Sequence, residues 1–227
     1  VVKKFNKHLI PLSFMLSIPV SNIFYALLNN SARGAHSMIT EIDKAIPFLK
    51  IFILPYIIWY PFIFFTLFYL CLRDKKIYFH TLAALNLGLI ICYIIYYTYQ
   101  TTVPRPEVAG KDLLALLVMY IYSSDQPFNC FPSIHCLTSF LMIKGINNST
   151  VKNTFNTTII SFTAAVIILS TLFVKQHVIL DVISAILLGD LVFRLVHYFP
   201  TSAVLLWLRN SYPLATMKKK LEIYMDI

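Results

Sequence analysis

The feature that most limits what this chain can fold into is a series of apolar runs, each close to the length that crosses a bilayer, separated by short polar stretches. A hydrocarbon core roughly 30 Å thick is spanned by about 20 helical residues. In lipid, backbone groups find no partner except one another, so runs of this length predict helices. The spacing places spans at 9–28, 48–72, 77–99, 132–150, 157–174 and 177–198, an all-α, six-helix transmembrane bundle forming a single polytopic membrane domain over 1–227. Composition points the same way, since 58% of residues are hydrophobic and 13% charged, with a mean hydropathy of +0.72. Soluble domains carry roughly twice that share of charge.

The residues before Leu9 resemble the charged flank of a signal peptide, but no small-x-small cleavage site follows, so the first run is expected to be a retained span. Pro11 and Pro19 in the first run, with Pro55 and Pro61 in the second, predict kinks. The apolar stretch Leu113–Tyr122 is too short to cross and is expected along the outer interface or over the bundle mouth. Residues 31–47, with Glu41, Asp43 and Lys44, read as an outer turn with a headgroup contact as one possible role. The tail after Pro200 joins Leu205, Leu206 and Trp207 to Lys218, Lys219 and Lys220, a pattern suited to the cytoplasmic headgroup layer.

With both termini cytoplasmic, the inner segments hold thirteen of the 19 basic residues, and the outside holds Arg33, Lys44, Lys50, Arg105, Lys111 and Lys175. This asymmetry satisfies the positive-inside rule and explains the net charge of +9 as membrane orientation. A nucleic-acid partner is not expected, because the basic residues are divided among short loops and form no continuous face. Cys71 and Cys92 read as packing residues, while Cys130 and Cys136 are close enough in sequence for a disulfide on an oxidising face. The sequence has no clustered metal-ligand spacing, so no metal and no cofactor are expected.

Ionisable groups at the ends of apolar runs are costly unless used. His177 and Asp181, four residues apart, are expected on one face of the sixth span, where the carboxylate can orient the imidazole as a nucleophile. A self-satisfied buried His–Asp pair is the plainer alternative. Pro132-Ser133-Ile134-His135 is expected to open the fourth span, with Pro132 in its first turn. The N–H groups of Ser133, Ile134 and His135 and the Ser133 hydroxyl would then hold phosphate oxygens, with His135 as general acid. A Ser cap beside a packing histidine would leave the same trace. Arg105, flanked by Pro104 and Pro106, presents a guanidinium suited to phosphate or to interfacial anchoring.

In this order the segments resemble the type 2 phosphatidic acid phosphatase family, whose signature is Lys-x6-Arg-Pro, Pro-Ser-Gly-His and Ser-Arg-x5-His-x3-Asp. Arg105-Pro106, Pro132-Ser133-x-His135, and Ser170 with His177-x3-Asp181 carry the match. The resemblance implies metal-independent hydrolysis through a phosphohistidine on His177, with His135 as acid, Asp181 as orienter, and Arg105, Ser133, Ile134, Ser170 and Thr171 around the phosphate. Thr98, Ile134 and Thr171 stand where the family has Lys, Gly and Arg. Lys175, one turn beyond Thr171 if the helix continues, is expected to replace the missing Arg. The Phe131 before Pro-Ser and the Lys175-Gln176 before His177 resemble the branch containing inositol phosphorylceramide synthases. The expected function is therefore hydrolysis of a lipid phosphate or pyrophosphate (phosphatidic acid, phosphatidylglycerophosphate or undecaprenyl pyrophosphate class) at the outer face of the plasma membrane. The alternatives are lipid phosphotransfer to an alcohol and a non-enzymatic lipid-binding or transport role. The expected partners are the membrane lipid phosphate and the bilayer itself.

Overall fold

A computed structural model describes residues 2–198, so the tail after Pro200 lies outside the described residues. The chain is an all-α membrane protein. The first apolar run forms α1 (Val2–Ser13) and α2 (Ser17–Leu28), joined by a 3-10 turn at Phe14–Leu16. Pro19 has no N–H to donate to Met15, which accounts for the loss of α-helical pairing just before it. In the second run α4 (Ile53–Arg73) continues through Pro61, and Pro55 sits in its first turn, where no helical hydrogen bond is lost. Next come α5 (Lys75–Thr98), α6 (Leu113–Ser124), α7 (Ile134–Asn148), α8 (Thr154–Phe173) and α9 (Ile179–Tyr198).

By length and composition, segments 8–28, 50–73, 75–98 and 154–173 are long and apolar enough to cross a membrane. The other two expected spans fall short for different reasons. Helix α7 has 15 residues, roughly 22 Å of rise, and α9 carries Asp181, Asp190 and Arg194 within 20 residues. Burial separates the long helices as well: the share buried is 56% in 75–98 and only 6% in 8–28, so α5 is central and the first run peripheral.

The short α7 is the axis of the core, packed against α4, α5, α8 and α9. Glycines permit this closeness. A Cβ on Gly88 of α5 would stand 2.9 Å from Leu137, and one on Gly189 of α9 would stand 2.9 Å from Phe140. Small residues at helix contacts let backbones approach where hydrophobicity gives no driving force between helices. Helix α6 caps one end, where Val118 joins Ile53, Tyr56 and Val174 in a cluster at the start of α4.

Between α2 and α4, the chain forms β1 (His36–Ser37) and α3 (Glu41–Ala45). Strand β1 pairs in parallel with β2 (Thr101–Thr102), a two-residue ladder that the apolar pattern did not predict. All four cysteines are free and buried, so Cys130 and Cys136 are not bridged.

Candidate active site

Four segments meet at one end of the bundle: the chain after α5, the turn before α7, the end of α8 and the loop before α9. Because α7 and α9 start where α5 and α8 end, antiparallel packing is enough to bring these segments together.

His177 is not on α9 as expected; it lies in the loop before it. A helix-ending motif sets its position. At the end of α8, the Lys175 N–H donates to Leu172 O at 3.1 Å and the Gln176 N–H to Thr171 O at 3.0 Å, the paired bonds of a Schellman motif with Lys175 in the left-handed region at φ 54°. The chain therefore reverses at Lys175, and the His177 N–H also donates to Thr171 O at 3.1 Å. The Asp181 side chain then reaches back from the first turn of α9. Its Oδ2 accepts from the Val178 N–H at 3.0 Å, half of a capping box, and lies 3.2 Å from His177 Nδ1. The expected pairing is present, but a helix cap makes it, not one face of a helix. With Nδ1 facing the carboxylate, Nε2 is the nitrogen left to react.

Helix α7 begins at Ile134, so Pro132 precedes the helix instead of occupying its first turn. Ser133 is the N-cap, with Oγ accepting from the Cys136 N–H at 3.3 Å. The Ser133 N–H is not free for an anion, because it donates to Asp181 O at 3.2 Å and so ties α7 to α9. The N–H groups of Ile134 and His135 remain in the first turn, where a helix offers them no acceptor. The His135 ring stands 5.6 Å from the His177 ring, centroid to centroid, and packs on Trp59 at 4.0 Å and Tyr56 at 4.7 Å. His135 and His177 keep 5% and 6% of their surface accessible, whereas Ser133 and Asp181 have none. The imidazoles, not the carboxylate, therefore face an incoming group.

Arg105 stacks over the Tyr122 ring at 4.5 Å and donates to Tyr122 O at 2.9 Å, to Asp125 O at 2.7 Å and to Gln176 Oε1. Most of its donors are engaged, and the proline-flanked extended backbone serves to thread the side chain under α6. Four of the buried polar atoms without a hydrogen-bond partner lie here, Arg105 Nε, His135 Nδ1, Gln176 Nε2 and Asp181 Oδ1, and others such as Thr81 Oγ1 and Ser139 Oγ lie elsewhere in the bundle. Burying such groups unpaired is expensive, and four of them around two histidines make this the candidate place for a polar ligand.

The remaining sequence candidates do not point into this space. The Ser170 and Thr171 hydroxyls donate to Ile167 O and Ile168 O within α8, at 2.6 and 2.7 Å. Thr98 is exposed and bonds to Ile94 O at 2.9 Å. Helix α8 ends at Phe173, so Lys175 does not extend its face; its ammonium donates to Asp43 O at 2.9 Å and to Ile46 O. Burial lowers the Lys175 pKa despite the nearby Asp43 charge. For Asp43 burial works to raise the pKa, but hydrogen bonds from Thr40 and Ile179 together with the Lys175 charge hold it below the usual carboxylate value.

Asp43 is the residue that sequence reasoning undervalued. It is 3% exposed, closes a capping box with Thr40, and accepts from the Ile179 N–H at 2.8 Å. Helix α3 is thus strapped onto the His177 loop from both sides, by Asp43 to Ile179 and by Lys175 to Asp43 and Ile46. The Thr40–Asp43 spacing was readable as a cap; its contact 136 residues away was not. Asp125 was also overlooked: Tyr25 Oη and Asn29 Nδ2 donate to its carboxylate at 2.6 and 2.8 Å, joining α2 to the site loop. Among the described residues no group of three or more His, Cys, Asp or Glu side chains is placed to hold a metal ion.

A family model, the PAP2 superfamily, matches residues 77–204, more than half of the chain. The chain belongs to the PAP2 superfamily. Members of this superfamily are generally phosphatases, which supports an enzyme with phosphatase or phosphotransferase activity on lipid phosphates. No match was found among curated proteins or among solved structures. The PAP2 match begins with α5, so α1 to α4, and with them Asp43, Tyr56 and Trp59, lie ahead of it.

Proposed function

We propose that this PAP2 protein is an integral-membrane lipid phosphate phosphatase that cleaves a phosphate monoester or pyrophosphate through a phosphohistidine, without metal or other cofactor. The observation that carries the reading is the meeting of the His177–Asp181 pair with His135 amid unpartnered polar atoms of Arg105 and Gln176. His177 Nε2 attacks phosphorus while Asp181 stabilises the positive charge that develops on the ring. His135 gives its proton to the departing lipid oxygen as the P–O bond breaks, and water then releases the phosphate from His177. Arg105 Nε and Gln176 Nε2, with the N–H groups of Ile134 and His135, are the donors for phosphate oxygens. Gln176 takes the phosphate-binding role expected of Lys175.

The chain is one polytopic domain in this reading. Helices α7 and α9 complete a set of six spans with the four long segments, and the low length of α7 puts its first turn within the headgroup layer. Both termini face the cytoplasm of the plasma membrane and the site faces outward, supported by the balance of basic residues and by the common end at which the site segments meet.

Transfer to an alcohol shares every step up to the phosphohistidine, so product identity separates the two outcomes. The test is phosphate release from purified protein given a panel of lipid phosphates with chelator present, with and without an added alcohol. Release establishes hydrolysis, and a phosphorylated alcohol establishes transfer. No phosphate product from any lipid overturns the enzymatic reading in favour of lipid binding or transport.

A further inference from the structure

Helix α1 packs against α4, whereas α2 packs against α5, and the space between α2 and α4 stays open as a groove of ≈ 650 Å³. Its walls are almost wholly apolar, and its volume lies within the range of small-molecule sites. Along α4 it runs from Trp59 to Phe68, roughly 13 Å at helical rise and close to the depth of one leaflet's hydrocarbon. The Asn22 side chain donates to Tyr60 Oη at 3.1 Å across its outer end.

The groove shares its inner wall with the candidate active site. Trp59 and Ile134 line it, and Trp59 packs on His135 at 4.0 Å while its Nε1–H donates to Thr138 Oγ1 at 2.8 Å. The chemistry then fixes which part of a substrate lies there. The group that accepts the His135 proton is the departing oxygen, so the alcohol carrying that oxygen must stand on the His135 side of the phosphorus. The surface on that side is the Tyr56–Trp59 wall, and beyond Trp59 is the groove.

We propose that this groove seats a hydrocarbon chain of the lipid alcohol that leaves when the P–O bond breaks, the proton passing from His135 to its oxygen and the phosphoryl group to His177. The proposal rests on the phosphate-transfer reading above and adds to it the place where the lipid's hydrocarbon chain lies. Because the bilayer is as apolar as the groove, shape and the tethered phosphate select the occupant, not apolarity.

Trp59 reports occupancy without turnover. It is 6% exposed, and the chain has two tryptophans, so Trp207→Phe leaves Trp59 as the only one. Purified Trp207→Phe/His177→Ala protein in detergent is titrated with phosphatidic acid bearing a dibrominated chain, and separately with dibrominated phosphatidylcholine. Saturable quenching of Trp59 is expected, at a concentration at least 5-fold lower for phosphatidic acid than for phosphatidylcholine. Leu16→Phe, at an exposed position on the groove, and Ile63→Phe in its wall are expected to weaken that quenching at least 3-fold. Leu16→Phe keeps the test valid should Ile63→Phe fail to fold. Absence of quenching, or equal quenching by both lipids, overturns the proposal. Quenching selective for phosphatidic acid in a protein without phosphate transfer would sink the enzymatic reading and leave the groove; turnover without quenching would do the reverse.

Discussion

From α5 onward the chain carries the groups to which the proposed function assigns the chemistry: Arg105, His135, Gln176, His177 and Asp181. The segment before α5 carries groups that hold them, with Trp59 and Tyr56 against His135 and Asp43 on the Ile179 N–H beside His177. Only the first set lies within the PAP2 match. The difference teaches what a family pattern records. Reacting groups sit at fixed spacings along short segments, whereas their supports come through space from a peripheral part of the chain and leave no local signature.

The largest effects are expected where the chemistry resides. His177→Ala should reduce phosphate transfer to background with the bundle still folded by circular dichroism, and His135→Ala should slow it by roughly 10²–10⁴-fold. If His177→Ala retained wild-type turnover, the division between reacting and supporting regions would collapse. Next in size is Gln176→Ala, expected to lower kcat/KM about 10-fold or more through lost donation to phosphate and a loosened Arg105. An unchanged kcat/KM would return the phosphate contacts to other donors.

The supporting region should show smaller effects of a different kind. Asp43→Ala should cost about 1 kcal/mol, a typical cap loss, and lower kcat several-fold with little change in KM. Asp43→Asn, whose amide oxygen can still accept from Ile179, should recover most of the rate. Failure of Asn to rescue would mean that the charge or the Oδ2 bonds from Thr40, not the bond from Ile179, make the contribution. The sign with pH follows from its depressed pKa: the Asp43 contribution is full above the ordinary carboxylate value of about 4 and is lost as pH falls through the lower folded value. Smallest of all, Lys175→Met should leave the KM for lipid phosphate unchanged, because its ammonium is held by Asp43 and Ile46 carbonyls. A raised KM would restore Lys175 to the phosphate site.

The same division explains what the sequence revealed. Apolar length gave the long helices to within a few residues, and the spacing of His177 and Asp181 gave their contact. The contact arises differently from the expectation, since a Schellman reversal with Lys at the left-handed position carries no glycine to announce it. The engaged hydroxyls of Ser170 and Thr171 and the anchoring of Lys175 were equally hidden, because hydrogen bonds to local carbonyls depend on where a helix stops. Asp43 was read only as part of an outer turn; its capping box with Thr40 went unread, and its bond to Ile179 needed the third dimension.

The most direct test of the central claim is to trap the covalent intermediate. Wild-type protein mixed with phosphate-labelled phosphatidic acid and stopped rapidly in base, where phosphohistidine survives, should carry an acid-labile label on His177, and His177→Ala should carry none. Label on another residue, or label persisting in folded His177→Ala protein, would contradict the assignment of His177 as the nucleophile.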